Sequence, residues 1–150
     1  MKIRTDFVTN SSSSSFILGF KNKEDIYDVA SELPSYWSEN AIRSVIEDIE
    51  EGLVSKETAL KEYSDTLWEH GCYYRGKSYW NMTREERESE EYKHFCKQWK
   101  QDKIDEFKKE LDGYNDYSIV SYEDHSDFGS IMEHEIMPEL SCTIYRISNH

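Results

Sequence analysis

Apolar residues fall along the chain in two rhythms, short unbroken runs and stripes spaced by three or four, and these rhythms divide it into strands and helices. The run Phe16-Ile17-Leu18-Gly19-Phe20 reads as a buried strand. Asn22 with Asp25 then signals a helix start, and Ile26, Val29, Ala30 and Leu33 share one face before Pro34 stops it. Ser38 caps a second helix with the inward stripe Ile42, Val45, Ile46 and Ile49, ending at Gly52. Ser55 opens a third, with Leu60, Tyr63 and Leu67 inward and Gly71 as its stop.

Residues 72–82 are aromatic around Gly76 and read as a loop or a small hairpin. The pair Thr83 and Glu86 forms a capping box, and one long helix is predicted from there to Leu111 with Tyr92, Phe95, Cys96, Trp99, Ile104, Phe107 and Leu111 along its stripe. After Gly113, Tyr117 to Tyr122 reads as a strand. Asp127 caps a short helix bearing Phe128, Met132 and Ile136, which Pro138 ends, and Cys142 to Ile147 reads as a closing strand. The order is β-α-α-α-α-β-α-β. The expected architecture is α+β, a small three-stranded sheet packed against a layer of about five helices, in a single domain over residues 1–150.

Composition narrows the function classes. Aromatic residues make up 14% of the chain, enough large side chains for a folded core. The net charge is −13, which argues against direct nucleic-acid binding and favours a basic protein surface or a metal ion as partner. The charge is not evenly spread. Residues 38–71 carry three cations against nine anions and residues 113–150 one against seven, whereas residues 72–112 balance ten against ten. Cys72, Cys96 and Cys142 have no framework spacing, so reduced thiols are expected. With no signal-like start and no apolar span, the expected location is cytoplasmic, with no membrane contact.

The string Arg4-Thr5-Asp6-Phe7-Val8-Thr9-Asn10, five serines and Phe16-Ile17 resembles the opening shared by small uncharacterised proteins of Gram-positive bacteria and their phages. The resemblance spans about a tenth of the chain and implies provenance, including phage or mobile-element origin, rather than chemistry. Ser11 beside Asn10 could act as nucleophile in an acyl shift; the simpler reading of the serines is a self-hydrogen-bonding lead into the first strand.

Three groups of residues carry candidate chemistry. Tyr73, Tyr74, Tyr79 and Trp80 form an aromatic patch suited to a protein contact, and Glu47, Asp48, Glu50 and Glu51 on the second helix supply an acidic face. Asp124, His125, Asp127, Glu133 and His134, with His150 beyond them, combine carboxylates and imidazoles able to hold Mg²⁺, Mn²⁺ or Zn²⁺. Two His-x-Cys pairs, His70 with Cys72 and His94 with Cys96, suggest zinc, but on helices the members of each pair point apart, an objection only His70 and Cys72, split by Gly71, escape. The expected function is a non-enzymatic acidic interaction or modulator protein, of inhibitor or nucleic-acid-mimic type. The alternatives are a small metal-dependent hydrolase using the second-strand cluster and a structural subunit of an assembly.

Overall fold

The computed structural model describes residues 13–149, and within them the chain forms an α+β fold built on a four-stranded antiparallel sheet. The strands are β1 (Ser13–Phe20), β2 (Leu53–Val54), β3 (Asp116–Glu123) and β4 (Thr143–Asn149), in the order β2-β3-β1-β4. β1 is central because it is the most apolar strand: Phe16, Ile17 and Leu18 are fully buried. Its register sets Phe16 against Val120 of β3 and Arg146 of β4. The three-strand expectation is corrected by β2, whose two residues pair with Ser118 and Tyr117 and are too few to show a period of two.

The helices differ in detail as well. The first, Lys23–Glu32, is wound as a 3-10 helix opened by the Asn22–Asp25 capping box. Spacings of three, as from Ile26 to Val29, suit three residues per turn as well as 3.6. The α-helices are α1 (Glu39–Glu51), α2 (Lys56–Thr66), α3 (Arg84–Glu88), α4 (Glu90–Leu111) and α5 (Asp127–Ile131). With the 3-10 helix that makes six among the described residues, against the five expected. The extra one arises because Ser89 ends α3 and caps α4, accepting a hydrogen bond from the Tyr92 amide at 3.2 Å, so the single long helix is two. α2 stops at Thr66 rather than at Gly71. α5 is capped by Ser126, not Asp127, and runs into a π-helical turn (Met132–Ile136) and a 3-10 turn (Met137–Glu139) that contains Pro138.

Packing groups the chain into two compact units, residues 1–59 with 113–150, and residues 60–112. In the first, one face of the sheet (Phe16, Leu18, Phe20, Val120, Tyr122) is covered by Ile26, Val29 and Leu33 of the 3-10 helix, by Val45, Ile46 and Ile49 of α1, and by Met132, Met137 and Leu140. The end of α1 approaches β3 closely. Gly52 accepts a hydrogen bond from the Ile119 amide at 2.9 Å, and the buried Ser118 hydroxyl donates to the Ile49 carbonyl at 2.6 Å. In the second unit, Cys72, Tyr74, Met82, Tyr92 and Cys96 form a small core with Tyr79 and Trp99 against it, and Tyr63 stacks on Phe107 at 4.0 Å. Among the described residues no helix is long and apolar enough to cross a membrane.

Candidate functional sites

In the second unit, residues 72–82 form a small hairpin. Tyr74 and Lys77 exchange two backbone hydrogen bonds around Arg75 and Gly76, both at positive φ, the geometry of a tight two-residue turn. This turn buries Tyr74, whose hydroxyl donates to Glu91 at 3.3 Å, and leaves Tyr73 exposed. Beyond it Tyr79 and Trp80 occupy one 3-10 turn (Tyr79–Asn81), which Arg87 fastens from two sides. Its Nε and Nη2 donate to the carbonyls of Tyr79 and Trp80 at 2.9 and 3.2 Å, and its guanidinium lies 4.5 Å from the centre of the Tyr79 ring. His70 also stacks on Tyr79, at 4.4 Å.

Trp80 is thereby held 72% exposed, and Trp68, itself 47% exposed, stacks on it at 5.7 Å with the ring planes 24° apart. Trp68 is absent from the patch read from sequence. A third helix running to Gly71 would have included it, and nothing in the local pattern shows that the helix stops at Thr66, two residues before Trp68. The result is an aromatic platform of two indoles whose backbone anchors are fixed before any partner arrives.

The acidic group lies in the first unit. Counting whole units, residues 1–59 with 113–150 carry 7 Lys and Arg against 18 Asp and Glu, net −11, and residues 60–112 carry 11 against 13, net −2. Glu47 and Glu51 of α1 are exposed. Glu50 accepts a hydrogen bond from the Tyr27 hydroxyl at 3.2 Å, and its charge raises that phenol's pKa. Asp48 is half-buried and accepts from Tyr122 at 2.8 Å; burial first, and this bond second, hold the Tyr122 hydroxyl well above the usual phenol range. Of the four acids, then, Asp48 serves the core and the other three face outward.

The third group is partly assembled. The ligand atoms of Asp124, Glu133 and His134 lie within 4.8 Å of one another. Asp124 comes from the turn after β3, while Glu133 and His134 sit on the π-helical turn, Glu133 buried and His134 exposed. Glu133 is fully buried. Ser14 of β1 donates to its Oε1 at 2.8 Å, Arg146 of β4 donates from Nε to the Ser14 hydroxyl at 3.2 Å, and Arg146 Nη2 stands 3.6 Å from Oε1. Such a buried carboxylate is tolerated because it is hydrogen-bonded and faces a cation. His125 is not part of this group: its Nδ1 pairs with Glu123 at 2.8 Å on the surface. Asp127 is likewise outside it, exposed in the first turn of α5.

The serine run acquires a role through the same contacts. Ser13 to Ser15 begin β1; the Ser14 hydroxyl reaches Glu133, and Ser15 shares a hydrogen bond of 2.7 Å with Ser121. Asn10, Ser11 and His150 lie outside the described residues. Compared with protein-family models, with curated proteins and with solved structures, the chain matches none.

Proposed function

We propose that this chain is a non-enzymatic acidic binding protein that engages a basic protein surface, with the platform of Trp68 and Trp80 as its contact point. The observation that carries this reading is the exposure of two stacked indoles, Trp80 on a turn anchored by Arg87 and Trp68 against it, since large apolar surface held rigidly in water is the usual form of a binding hot spot. The faces of indole rings attract guanidinium and ammonium groups, and an overall charge of −13 draws the same kind of partner from a distance. Three outward carboxylates on α1 add to that field without a share in the core. Competition with nucleic acid for a basic groove is one form this function takes.

The test is a fluorescence-anisotropy titration of a dye-labelled arginine-rich peptide with the protein. Saturable binding is expected, weakening about tenfold as salt is raised until the Debye length falls from about 10 to about 3 Å. Replacing Trp68 and Trp80 together by alanine leaves the net charge unchanged and should weaken binding a further tenfold or more. Equal binding by that variant would reduce the contact to bulk charge and defeat the proposal.

A second reading is favoured by the convergence of Asp124, Glu133 and His134, two carboxylates and an imidazole of the kind that hold a divalent cation. On this reading Mn²⁺ or Zn²⁺ raises the thermal midpoint saturably, by several degrees at a hundredfold excess over Kd, and His134→Ala removes the shift. His134 is largely exposed, so its loss leaves the fold intact and the measurement clean. Unchanged melting with every divalent ion tried would dispose of the metal.

A further inference from the structure

The sulfur atoms of Cys72 and Cys96 stand 3.1 Å apart in the core of the second unit, both as free thiols. Cys72 lies just after the turn that follows α2, and Cys96 is on the buried stripe of α4. Their surroundings are unequal. Cys72 is sealed at 2% exposure, whereas Cys96, at 6%, lines a pocket of about 520 Å³ shared with His70, Tyr92, Lys93, Lys97 and Lys100. Burial, and then the hydrogen bond with Cys96, pushes the Cys72 thiol up to about 12. At neutral pH Cys72 is therefore held as a thiol behind Cys96, and a reagent from solvent meets Cys96 first.

The geometry points to Cys72 and Cys96 as a reversible thiol–disulfide exchange site whose co-substrate is a low-molecular-weight disulfide entering the pocket over Cys96. In the first step the Cys96 sulfur attacks one sulfur of the reagent, a mixed disulfide forms on Cys96, and the other half leaves as a thiol carrying the proton Cys96 gave up. In the second, the Cys72 sulfur attacks the Cys96 sulfur, the protein disulfide forms, and the second half leaves as a thiol with the Cys72 proton. Two protein thiols are oxidised and one disulfide is reduced to two thiols, so electrons and protons balance.

Zinc is the rival occupant of such a pair, and the spacing opposes it. Two thiolates at about 2.3 Å from a zinc ion and 3.1 Å from each other subtend an angle of about 85°, well short of a tetrahedral one. A disulfide needs the sulfurs to close by only about 1 Å, to roughly 2.05 Å. A third ligand is also lacking: among the described residues the only group of three or more His, Cys, Asp or Glu able to share a metal is the one at Asp124. His70 instead directs its Nδ1 to the Tyr92 hydroxyl at 3.0 Å, and His94 is exposed.

The site is independent of the binding function proposed above, although the loop it would close, residues 72–96, carries Tyr79 and Trp80. The test incubates the full chain with equal amounts of reduced and oxidised glutathione and maps the peptides without reduction. A peptide joining Cys72 to Cys96 is expected, with Cys142 still free, together with a rise in thermal midpoint of roughly 5–10 °C that dithiothreitol reverses. Cys72→Ser should stop the reaction at glutathione held on Cys96, and Cys96→Ser should leave Cys72 unmodified. Two free thiols in the wild-type map, glutathione retained on wild-type Cys96, or a cross-link through Cys142 would each overturn the proposal. So would one zinc ion bound per chain and lost in both serine variants.

Discussion

Replacing Arg146 by methionine should lower the stability of the protein by about 3 kcal/mol, although a third of that side chain faces solvent. The methionine keeps most of the apolar stem but not the guanidinium, whose central carbon lies 5.7 Å from the centre of the Phe16 ring. What it removes is the guanidinium that bonds Ser14 and faces Glu133, so a fully buried carboxylate loses its cation on that side. Taking one member from such an arrangement costs more than the pair contributes, because the carboxylate, although it still accepts from Ser14, loses part of what compensates its burial. Adding Glu133→Gln to the same chain should recover most of the loss, since the amide oxygen still accepts from Ser14 without a charge. Urea unfolding followed by circular dichroism measures both variants. If the double variant is no more stable than Arg146→Met alone, the carboxylate charge is not the cause.

The second large effect is expected at Gly52. A methyl group there would lie 2.3 Å from the Ile119 carbonyl oxygen and 2.8 Å from the Ser118 hydroxyl. The first obstacle is backbone in the middle of β3, which cannot rotate aside. Gly52→Ala must therefore push the end of α1 off the sheet, weakening the bond from the Ile119 amide and the one from Ser118 to the Ile49 carbonyl. A cost of about 3 kcal/mol follows from overpacking together with these losses. The backbone of Gly52 is at φ −85, open to any residue, so the penalty is steric rather than conformational. Equilibrium unfolding should show a lower midpoint with an unchanged slope, because the same surface is exposed on unfolding.

The parts of the fold legible in the sequence are those with a repeating signal. β1 and β3 announce themselves as apolar runs, α1 by its Ser38 cap and its stripe, and the covering face by Ile26, Val29, Val45, Ile46 and Ile49, which are all buried as their spacing implies. What stayed hidden has no repeat. β2 is a single pair of residues. The break at Ser89 turns on whether one hydroxyl caps a new helix, a local choice between two energetically close continuations. Glu133 was legible as a potential ligand but not as a core residue, because an acid on a helix is expected to face water and the Ser14 hydroxyl that receives it lies 119 positions away in the chain. The cysteine pair was not legible at all. The His-x-Cys spacing raised zinc and was set aside, and packing sets the two sulfurs against each other across 24 residues, a separation no local pattern encodes.

The register of the sheet also has a consequence in time. Phe16 finds Val120 and Arg146, more than a hundred positions later in the chain. At roughly 5–20 residues per second, a ribosome leaves the run Phe16-Ile17-Leu18 without its strand partners for something like 5–20 s. Residues 60–112 emerge whole within that interval. Synthesis thus favours closing the inserted unit first and the sheet last.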